Sequence, residues 1–489
     1  MKKWKRQAAL FLCILLLLPS QAVTAAEKET DVEKELNRMI PCTEPFLFED
    51  GDIVGFIGDS ITHVEYTGIS YQEFLYNYYI TRYPDWNLEF RNLGTASYKA
   101  SDAVELYGDD SGIQDPAIEG ITKAVIMFGM NEALDRVSAQ RYISNMRKLV
   151  EILNERGLEN EDIILVAPTP YDQTRSSNYA EDGMLIETTD DRISEYVPEL
   201  KKLAEDLGTH YIDLHTPMLW VTEIVQGMIA DDTLTVTDNV HPNAMGNTIA
   251  GFFFLYQQGA GKNVFDIHVT KEEKLQTENV SVKLQKKKGE RYLRLKYKAD
   301  SLPMAVSYEF HEATQYFEII DEISWENLQI EGLREEKNYT VYMNYLPVAE
   351  LTGAELAKGV NLTDCDWNPL QKAAKEIEVL NQQWQVASSD YRSVVREATK
   401  ESGTATQEDV NAAYEVWKTD TENLRQQMYE IARENVQKTY TLEIVSEDYR
   451  VFMGQELWLW ALEAAIAAGL FAACVIWFRK RRKKGSLKR

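Results

Sequence analysis

The sequence predicts an α/β protein: a parallel β-sheet flanked by helices, followed by a small antiparallel β domain, a long helical hairpin and one C-terminal transmembrane helix. Three hydropathy patterns predict this order. Over residues 46–261, short apolar runs alternate with amphipathic stretches of helical spacing. Over 262–346, apolar and polar residues alternate, and over 347–440 apolar residues recur every three or four positions. A chain of 489 residues also exceeds what one hydrophobic core usually organises.

The first region contains five apolar, β-branched runs that read as buried strands. Amphipathic stretches such as 139–156 and 193–207 lie between them and carry helical spacing. Alternation of strands and helices implies a parallel sheet with both faces covered. The predicted strands are Ile53–Ile57, Leu88–Phe90, Ala124–Phe128, Ile163–Val166 and Tyr211–Asp213.

The second and third regions change period. Five half-buried strands are predicted in a small antiparallel sandwich: Val280–Leu284, Tyr292–Tyr297, Ala305–Phe310, Leu328–Ile330 and Tyr339–Met343. Asn368 and Pro369 then supply a cap and a first helical residue, and Gly403 separates two apolar seams. We expect the two helices to pack on each other, and a docking surface for an unidentified protein partner stays open.

Both chain ends predict export and membrane anchoring. Residues 1–26 have the basic, apolar and small-residue order of a signal peptide, with a retained signal anchor as the alternative. After an N-terminal segment, 27–45, and the domains above, a juxtamembrane segment, 441–456, precedes a transmembrane helix, 457–478. The basic tail 479–489 predicts a C-terminus in the cytoplasm and the preceding domains outside, and it disfavours a buried soluble helix.

The composition excludes some classes of protein. The formal charge of −26 argues against a nucleic-acid partner, and the basic residues of both ends make the remaining chain still more acidic. This acidity also disfavours a polyanionic substrate. Of the four cysteines, only Cys42 and Cys365 would be exported; whether they form a disulfide stays open.

Four short motifs follow predicted strands or a turn. Gly58-Asp59-Ser60 ends the first strand, and Asp238 precedes His241 by three residues. A carboxylate at that spacing can hold one imidazole nitrogen while the other faces a serine. Asn92-Leu-Gly94 and Gly129-Met-Asn131 follow later strands, where an N–H group or an amide can donate to a reacting oxygen. The alternatives are a helix cap at Ser60 and an incidental surface histidine at His241.

In these four blocks and their order, residues 46–261 resemble the SGNH-hydrolase (GDSL-like esterase/lipase) family, in a bacterial, membrane-anchored form with a C-terminal extension. The resemblance implies that Ser60 is the nucleophile, His241 the general base and Asp238 the residue that orients it. It implies an oxyanion hole from the N–H groups of Ser60 and Gly94 and the Asn131 side chain. The sequence departs from the family pattern at Ser97, where the family usually has glycine, and at Glu132, where it usually has aspartate. These departures are expected to change which substrate shapes the site accepts and to leave the hydrogen-bond donors of the oxyanion hole in place.

The resemblance implies a serine esterase that hydrolyses O-acyl esters. The predicted location outside the membrane, where the enzyme would meet surface polysaccharide or imported glycans, makes O-acetyl groups on carbohydrate the leading substrate class. No cofactor and no metal are expected, because the sequence has no His-x-x-x-His pair and no acidic cluster with ligand spacing. A glycan O-acyltransferase, a lipid esterase and a non-catalytic surface binding or scaffold protein are the alternatives. Three aromatic residues near the motifs, Tyr98, Tyr171 and Trp220, can either stack on sugar rings or pack in the core.

Overall fold

A computed structural model describes residue 42 and residues 44–64, 70–108, 112–174, 188–229, 232–314 and 319–449. The predicted signal peptide 1–26, transmembrane helix 457–478 and basic tail 479–489 lie outside these residues. Every helix inside these ranges is too short or too polar to span a lipid bilayer. Cys42 and Cys365 are both free thiols.

The first region is a five-stranded parallel sheet in the order β2-β1-β3-β4-β5. Its three central strands are buried almost throughout, as expected for a sheet covered on both faces, whereas the edge strand His210–Asp213 is half-buried. The elements are β1 Ile53–Gly58, α1 Ser60–His63, α2 Tyr71–Arg82, β2 Glu89–Gly94, α3 Ala100–Tyr107, β3 Lys123–Met127, α4 Met130–Leu134, α5 Ala139–Glu155, β4 Ile163–Ala167, α6 Thr189–Leu207, β5 His210–Asp213, α7 His215–Met228 and α8 Ala244–Gln257. The predicted α/β architecture is confirmed.

Two further sheets follow. The elements are β6 Asn263–Val269, β7 Leu275–Glu278, β8 Val280–Lys287, β9 Tyr292–Ala299, α9 Tyr308–Thr314, α10 Ile319–Ile323, β10 Trp325–Ile330, β11 Asn338–Met343, β12 Leu346–Thr352, α11 Gly353–Lys358 and β13 Val360–Asn361. One sheet has the order β13-β10-β6-β7, and its β6 and β10 are parallel. The predicted strand Ala305–Phe310 is wrong, because this stretch runs into α9.

The long hairpin consists of α12, Pro369–Thr399, and α13, Gln407–Gln437. The Asn368 side chain caps α12 by accepting from the Leu370 N–H, as the sequence predicts. Each helix has 31 residues and is therefore about 46 Å long. The hairpin also packs on the first region: Trp384 is buried with its ring 5.4 Å from that of Tyr76 on α2. The hairpin helices therefore pack both on each other and on the first region.

After the hairpin, the chain forms the strand β14, Tyr440–Ser446, in the other of the two further sheets. This strand lies between β9 and β11 in the order β12-β11-β14-β9-β8. The stretch predicted as a juxtamembrane segment, 441–456, therefore begins as a central strand. In the sequence, Tyr440, Leu442 and Ile444 alternate with Thr441 and Glu443, while burial is nearly continuous along the strand, as expected for a central position in the sheet.

Candidate active site

Ser60 is the first residue of α1, directly after the carboxyl end of β1. The Asp59 side chain caps this helix by accepting from the Ile61 N–H at 2.9 Å. Burial raises the pKa of the Asp59 carboxyl to about 6, although this hydrogen bond opposes the change. A side chain at Gly58 would put its Cβ 2.7 Å from the Met127 carbonyl oxygen, so the strand end requires glycine there.

His241 lies in a tight loop that the start of α8 braces. Val236 N–H donates to the His241 carbonyl at 2.9 Å, and Thr235 and Pro242 form an isolated β-bridge. The next residue, Asn243, caps α8 by accepting from the Gly246 N–H at 2.8 Å. The loop is thus held at both ends, and the position of the imidazole is fixed by the backbone on either side of it.

The three residues predicted as a triad form one hydrogen-bonded chain. His241 Nε2 is 2.7 Å from Ser60 Oγ, and His241 Nδ1 is 2.6 Å from Asp238 Oδ2. The other carboxylate oxygen, Asp238 Oδ1, accepts from the N–H groups of Val240 and His241 at 2.9 and 3.0 Å. In this arrangement the imidazole can take the serine proton while the carboxylate orients the ring.

The Asp238 carboxyl is held in its charged form. Burial opposes ionisation, but the hydrogen bonds from the His241 ring and from the N–H groups of His241 and Val240 outweigh it. Together with the charge of His241 they lower the pKa of Asp238 to about 2. This carboxylate therefore stays ionised at every pH near neutrality.

The prediction for Gly94 is wrong, because its N–H group is already used. It donates to Asn92 Oδ1 at 2.9 Å at the end of β2. A Cβ at Gly94 would lie 2.4 Å from the His63 nitrogen, so glycine is required there for close packing of β2 on α1. Gly94 thus has a structural role beside Ser60 and does not supply a free donor.

A free backbone donor in this loop is the N–H group of Ser97, three residues after Gly94. Ser97 is exposed and has a φ of 70°, a backbone conformation that favours glycine. Within the part of the chain that the structure describes, its N–H group donates to no acceptor. The sequence contained this signal, because Ser97 stands where the family usually has glycine.

Asn131 lies beside the same loop, at the start of α4. Its Nδ2 donates to the Tyr98 carbonyl at 2.9 Å, which leaves the second N–H of the amide for another acceptor. The structure therefore places the Asn131 amide beside the loop that carries the Ser97 N–H group.

Glu132, the second departure from the family pattern, is a buried carboxyl behind this loop. Its Oε1 accepts from the Ala100 N–H at 2.7 Å, at the first residue of α3. Its Oε2 has no hydrogen-bond partner among the described residues. Burial raises the pKa of Glu132 to about 7, even though the Ala100 N–H favours the charged form.

Glu132→Gln is expected to flatten the pH dependence of stability. The unfolded carboxyl, with a pKa near 4.5, loses its proton before the native one does, so native stability falls as the pH rises from 4.5 to about 7. The glutamine amide keeps an acceptor for the Ala100 N–H and carries no charge. Thermal unfolding of both proteins from pH 4.5 to 8 should show the variant gaining Tm relative to wild type. Parallel curves would contradict this.

Residues of α12 also reach this loop, and the sequence analysis missed them. Arg392 and Asp115 are fully buried and form an ion pair. Arg392 Nε donates to the Gly94 carbonyl at 2.9 Å, and its Nη2 donates to Thr95 Oγ1 at 2.6 Å. A signal was present, because polar residues recur at four- and three-residue spacing along a second buried face of α12: Asn381, Gln385, Ser388 and Arg392.

The aromatic candidates for sugar stacking mostly serve packing. Tyr171 is buried, and Trp220 is half-buried against the hydrophobic core. Tyr98 is half-buried, and its hydroxyl donates to Thr399 Oγ1 on α12 at 2.5 Å. Tyr98 is the one of the three that lies in the Ser97 loop.

The α/β sheet and the Ser60–His241 arrangement define an ester hydrolase of the serine class. Residues 56–249 match a protein-family model described as "GDSL-like Lipase/Acylhydrolase family". Residues 56–249 therefore form a GDSL-like lipase/acylhydrolase domain within the longer chain. A comparison with curated proteins found no match.

Solved structures with the same fold include a gut microbial diltiazem-metabolizing enzyme. It is 20% identical, and the alignment covers 83% of this chain and 99% of the other with a TM-score of 0.66. The shared fold therefore extends beyond the family domain. An acetylxylan esterase from Geobacillus stearothermophilus is 19% identical over 44% of this chain and 96% of its own, with a TM-score of 0.33. A G-D-S-L family protein from Veillonella parvula is 17% identical over 42% and 97%, with a TM-score of 0.32.

Proposed function

We propose that the protein is a membrane-anchored serine esterase that removes O-acyl groups, above all O-acetyl groups, from carbohydrate outside the cell membrane. The observation that carries the catalytic part of this proposal is the hydrogen-bonded chain from Ser60 through His241 to Asp238. Ser60 is the nucleophile, His241 the general base and Asp238 the residue that orients the imidazole.

Acylation begins when Ser60 Oγ attacks the ester carbonyl carbon. His241 Nε2, 2.7 Å away, takes the serine proton and becomes an imidazolium. Asp238, ionised at neutral pH, stabilises this cation through Nδ1 and keeps the tautomer that leaves Nε2 available. When the tetrahedral intermediate collapses, His241 returns the proton to the leaving alcohol.

The tetrahedral oxyanion needs donors that are in place before the reaction. We assign this role to the N–H groups of Ser60 and Ser97 and to Asn131 Nδ2. Ser60 opens a helix, so its N–H group has no partner within α1. Asn131 is fixed through its contact with the Tyr98 carbonyl. Donors held in this way are usually the largest single contribution to acyl-transfer catalysis.

Deacylation repeats the same steps with water. His241 removes a proton from water, which attacks the acyl-enzyme carbonyl, and the same three donors hold the second oxyanion. His241 then protonates Ser60 Oγ as the carboxylic acid leaves.

Asn131→Ala is expected to lower kcat for an aryl acetate about 10²- to 10³-fold, because one preorganised oxyanion donor is lost. KM should change little, since the donor acts mainly in the transition state. Steady-state kinetics checks this, with Asn154→Ala as the control: Asn154 is an amide that donates to the Leu158 carbonyl at 2.9 Å beyond α5. Equal kcat values for the two variants would contradict the assignment.

The substrate class rests on location and charge. The signal-like segment 1–26 and the apolar segment 457–478 favour an enzyme tethered outside the membrane, where it meets surface polysaccharide or imported glycans. The strong negative charge of the chain repels polyanions and anionic lipid surfaces, and it is compatible with a neutral acetylated glycan.

Release of acetate tests this proposal. Wild-type protein is incubated with acetylated xylan, acetylated peptidoglycan and short-chain aryl esters, each with and without an added acceptor alcohol, and Ser60→Ala serves as the blank. We expect Ser60-dependent acetate release that is fastest on a neutral acetylated glycan. Release only from long-chain lipid esters would overturn the substrate class, and transfer to the acceptor in excess of hydrolysis would identify an acyltransferase.

The scaffold alternative makes a different prediction. There the β sheets and the hairpin are the working parts, and the protein would release no acyl group from any ester. The contacts of Arg392 with Gly94 and Thr95 connect the hairpin to the end of the sheet at which Ser60 lies. This connection favours an enzyme over a scaffold protein.

A further inference from the structure

We infer that helix α12 is part of the catalytic unit and that Arg392 is a positioning residue for the oxyanion hole. This inference rests on the proposed function and goes beyond it, because it gives the hairpin a role in catalysis. Arg392 holds the carbonyl of Gly94 and the hydroxyl of Thr95, and the chain then turns to present the Ser97 N–H group.

The Arg392 guanidinium is held rigidly. Its Nη1 donates to Asp115 Oδ2, and Asp115 Oδ1 accepts from the Tyr391 hydroxyl at 2.5 Å. Tyr107 on α3 donates to Asp115 Oδ2 at 3.3 Å. Burial alone would lower the pKa of Arg392, but the charge of Asp115 and the two tyrosines raise it, so the guanidinium stays charged. A buried guanidinium in which each of the three nitrogens donates to an acceptor is a rigid donor for the backbone it contacts.

Two nitrogens of Arg392, Nε and Nη2, do not contact Asp115, and their acceptors show which part of the chain the guanidinium holds in place. Nε points to the Gly94 carbonyl, and Nη2 points to Thr95, whose own N–H donates to the Gly58 carbonyl at 2.9 Å. Gly58 and Ser60 are separated by one residue. The guanidinium therefore fixes the β2 end relative to the nucleophile end of β1, which sets the distance between the Ser60 and Ser97 N–H groups.

Two further contacts from the C-terminal part of α12 reach the loop itself. Arg396 Nη2 donates to Ser97 Oγ at 3.2 Å, and the Tyr98 hydroxyl donates to Thr399 Oγ1 at 2.5 Å. Residues 392, 396 and 399 lie on one face of the helix, at spacings of four and three. One helix face thus contacts the loop along its length from Gly94 to Tyr98.

The same helix is attached to the domain elsewhere, which supplies a matched control. Asn381 Nδ2 donates to the Glu73 carbonyl and to Asn77 Oδ1, both at 2.9 Å. Asn381 is as buried as Arg392, but its contacts lie on α2 and do not involve the 94–98 loop.

The test compares the double variant Arg392→Met/Asp115→Asn with Asn381→Ala in the full chain. The double variant leaves no buried charge unpaired, and the asparagine introduced at position 115 keeps an acceptor for the tyrosines, so we expect it to fold. For an aryl acetate, its kcat should fall about 10- to 100-fold with KM within about twofold, because a small displacement of an oxyanion donor acts on the transition state. Thr399→Val, which removes the acceptor for Tyr98 and a hydroxyl that donates within α12, should lower kcat about 3- to 10-fold in the same way.

Asn381→Ala should lower Tm without changing kcat. The inference is overturned if the folded double variant keeps the wild-type kcat, or if Asn381→Ala lowers kcat as much, since the contacts would then be merely structural. If wild type hydrolyses no ester and fluorophosphonate does not label Ser60, the proposed function fails and takes this inference with it. An active wild type with an equally active double variant overturns this inference alone.

Discussion

Ser60→Ala is expected to reduce kcat/KM for ester hydrolysis at least about 10⁴-fold, to the level that binding and the oxyanion donors support without a nucleophile. The reason is that the substitution removes the hydroxyl that lies 2.7 Å from His241 Nε2 and that the imidazole would activate. Steady-state hydrolysis of an aryl acetate measures the loss. The Tm should change little, because the substitution removes one hydroxyl and leaves the Asp59 cap in place.

His241→Ala should cost as much as Ser60→Ala, and the double variant no more than either, because the two side chains act as a unit. Asp238→Asn should cost less than either, since it removes the charge and keeps a polar group at the imidazole. Additive losses in the Ser60/His241 pair would contradict the assigned roles.

Asp115→Ala is expected to lower the free energy of unfolding by about 3–5 kcal/mol, the usual cost of leaving one charge of a buried ion pair without its partner. Both partners are fully buried, and Arg392 would be left in the interior between α12 and the sheet. Chemical denaturation at pH 7 measures the change.

Glu89→Ala is the matched control, because it removes the partner of Arg91 from a partly exposed ion pair. Its cost should be below about 1 kcal/mol. Asp115→Ala combined with Arg392→Met should recover part of the lost stability, since no unpaired charge remains. If Asp115→Ala costs no more than Glu89→Ala, the buried pair does not join the hairpin to the domain.

The fold was predictable where one hydropathy period dominates. The five strands of the parallel sheet and the two hairpin helices, with the Asn368 cap, follow from local patterns. Tyr440–Ser446 was missed, as were strands such as Asn263–Val269 and Leu346–Thr352, and Ala305–Phe310 was wrongly predicted as a strand. Tyr440–Ser446 alternates as clearly as the other strands, but it follows a long helix and precedes the apolar segment, so its place between β9 and β11 depends on contacts distant in sequence. Ala305–Phe310 alternates as well, but Phe310 belongs to α9.

The site residues likewise divide into those that the sequence predicted and those that it did not. The Asp238–His241 contact follows from a three-residue spacing, whereas the contact of His241 with Ser60, 181 residues away, was expected from the resemblance to the SGNH family. Gly94 was misassigned because a glycine motif does not show whether its N–H group is free, and Asn92 uses it. Arg392 lies about 300 residues from Gly94, so no local pattern connects the two. Its polar face on α12 indicates a buried polar contact without naming the partner.

The most direct test of the central claim is the intact mass of the full chain after treatment with an alkyl fluorophosphonate, which phosphorylates an activated serine and releases fluoride. We expect a single adduct, mapped by peptide mass spectrometry to Ser60, and no adduct on Ser60→Ala or His241→Ala under the same conditions. An unlabelled wild-type protein, or equal labelling of Ser60→Ala, would contradict the assignment of Ser60 as a nucleophile activated by His241.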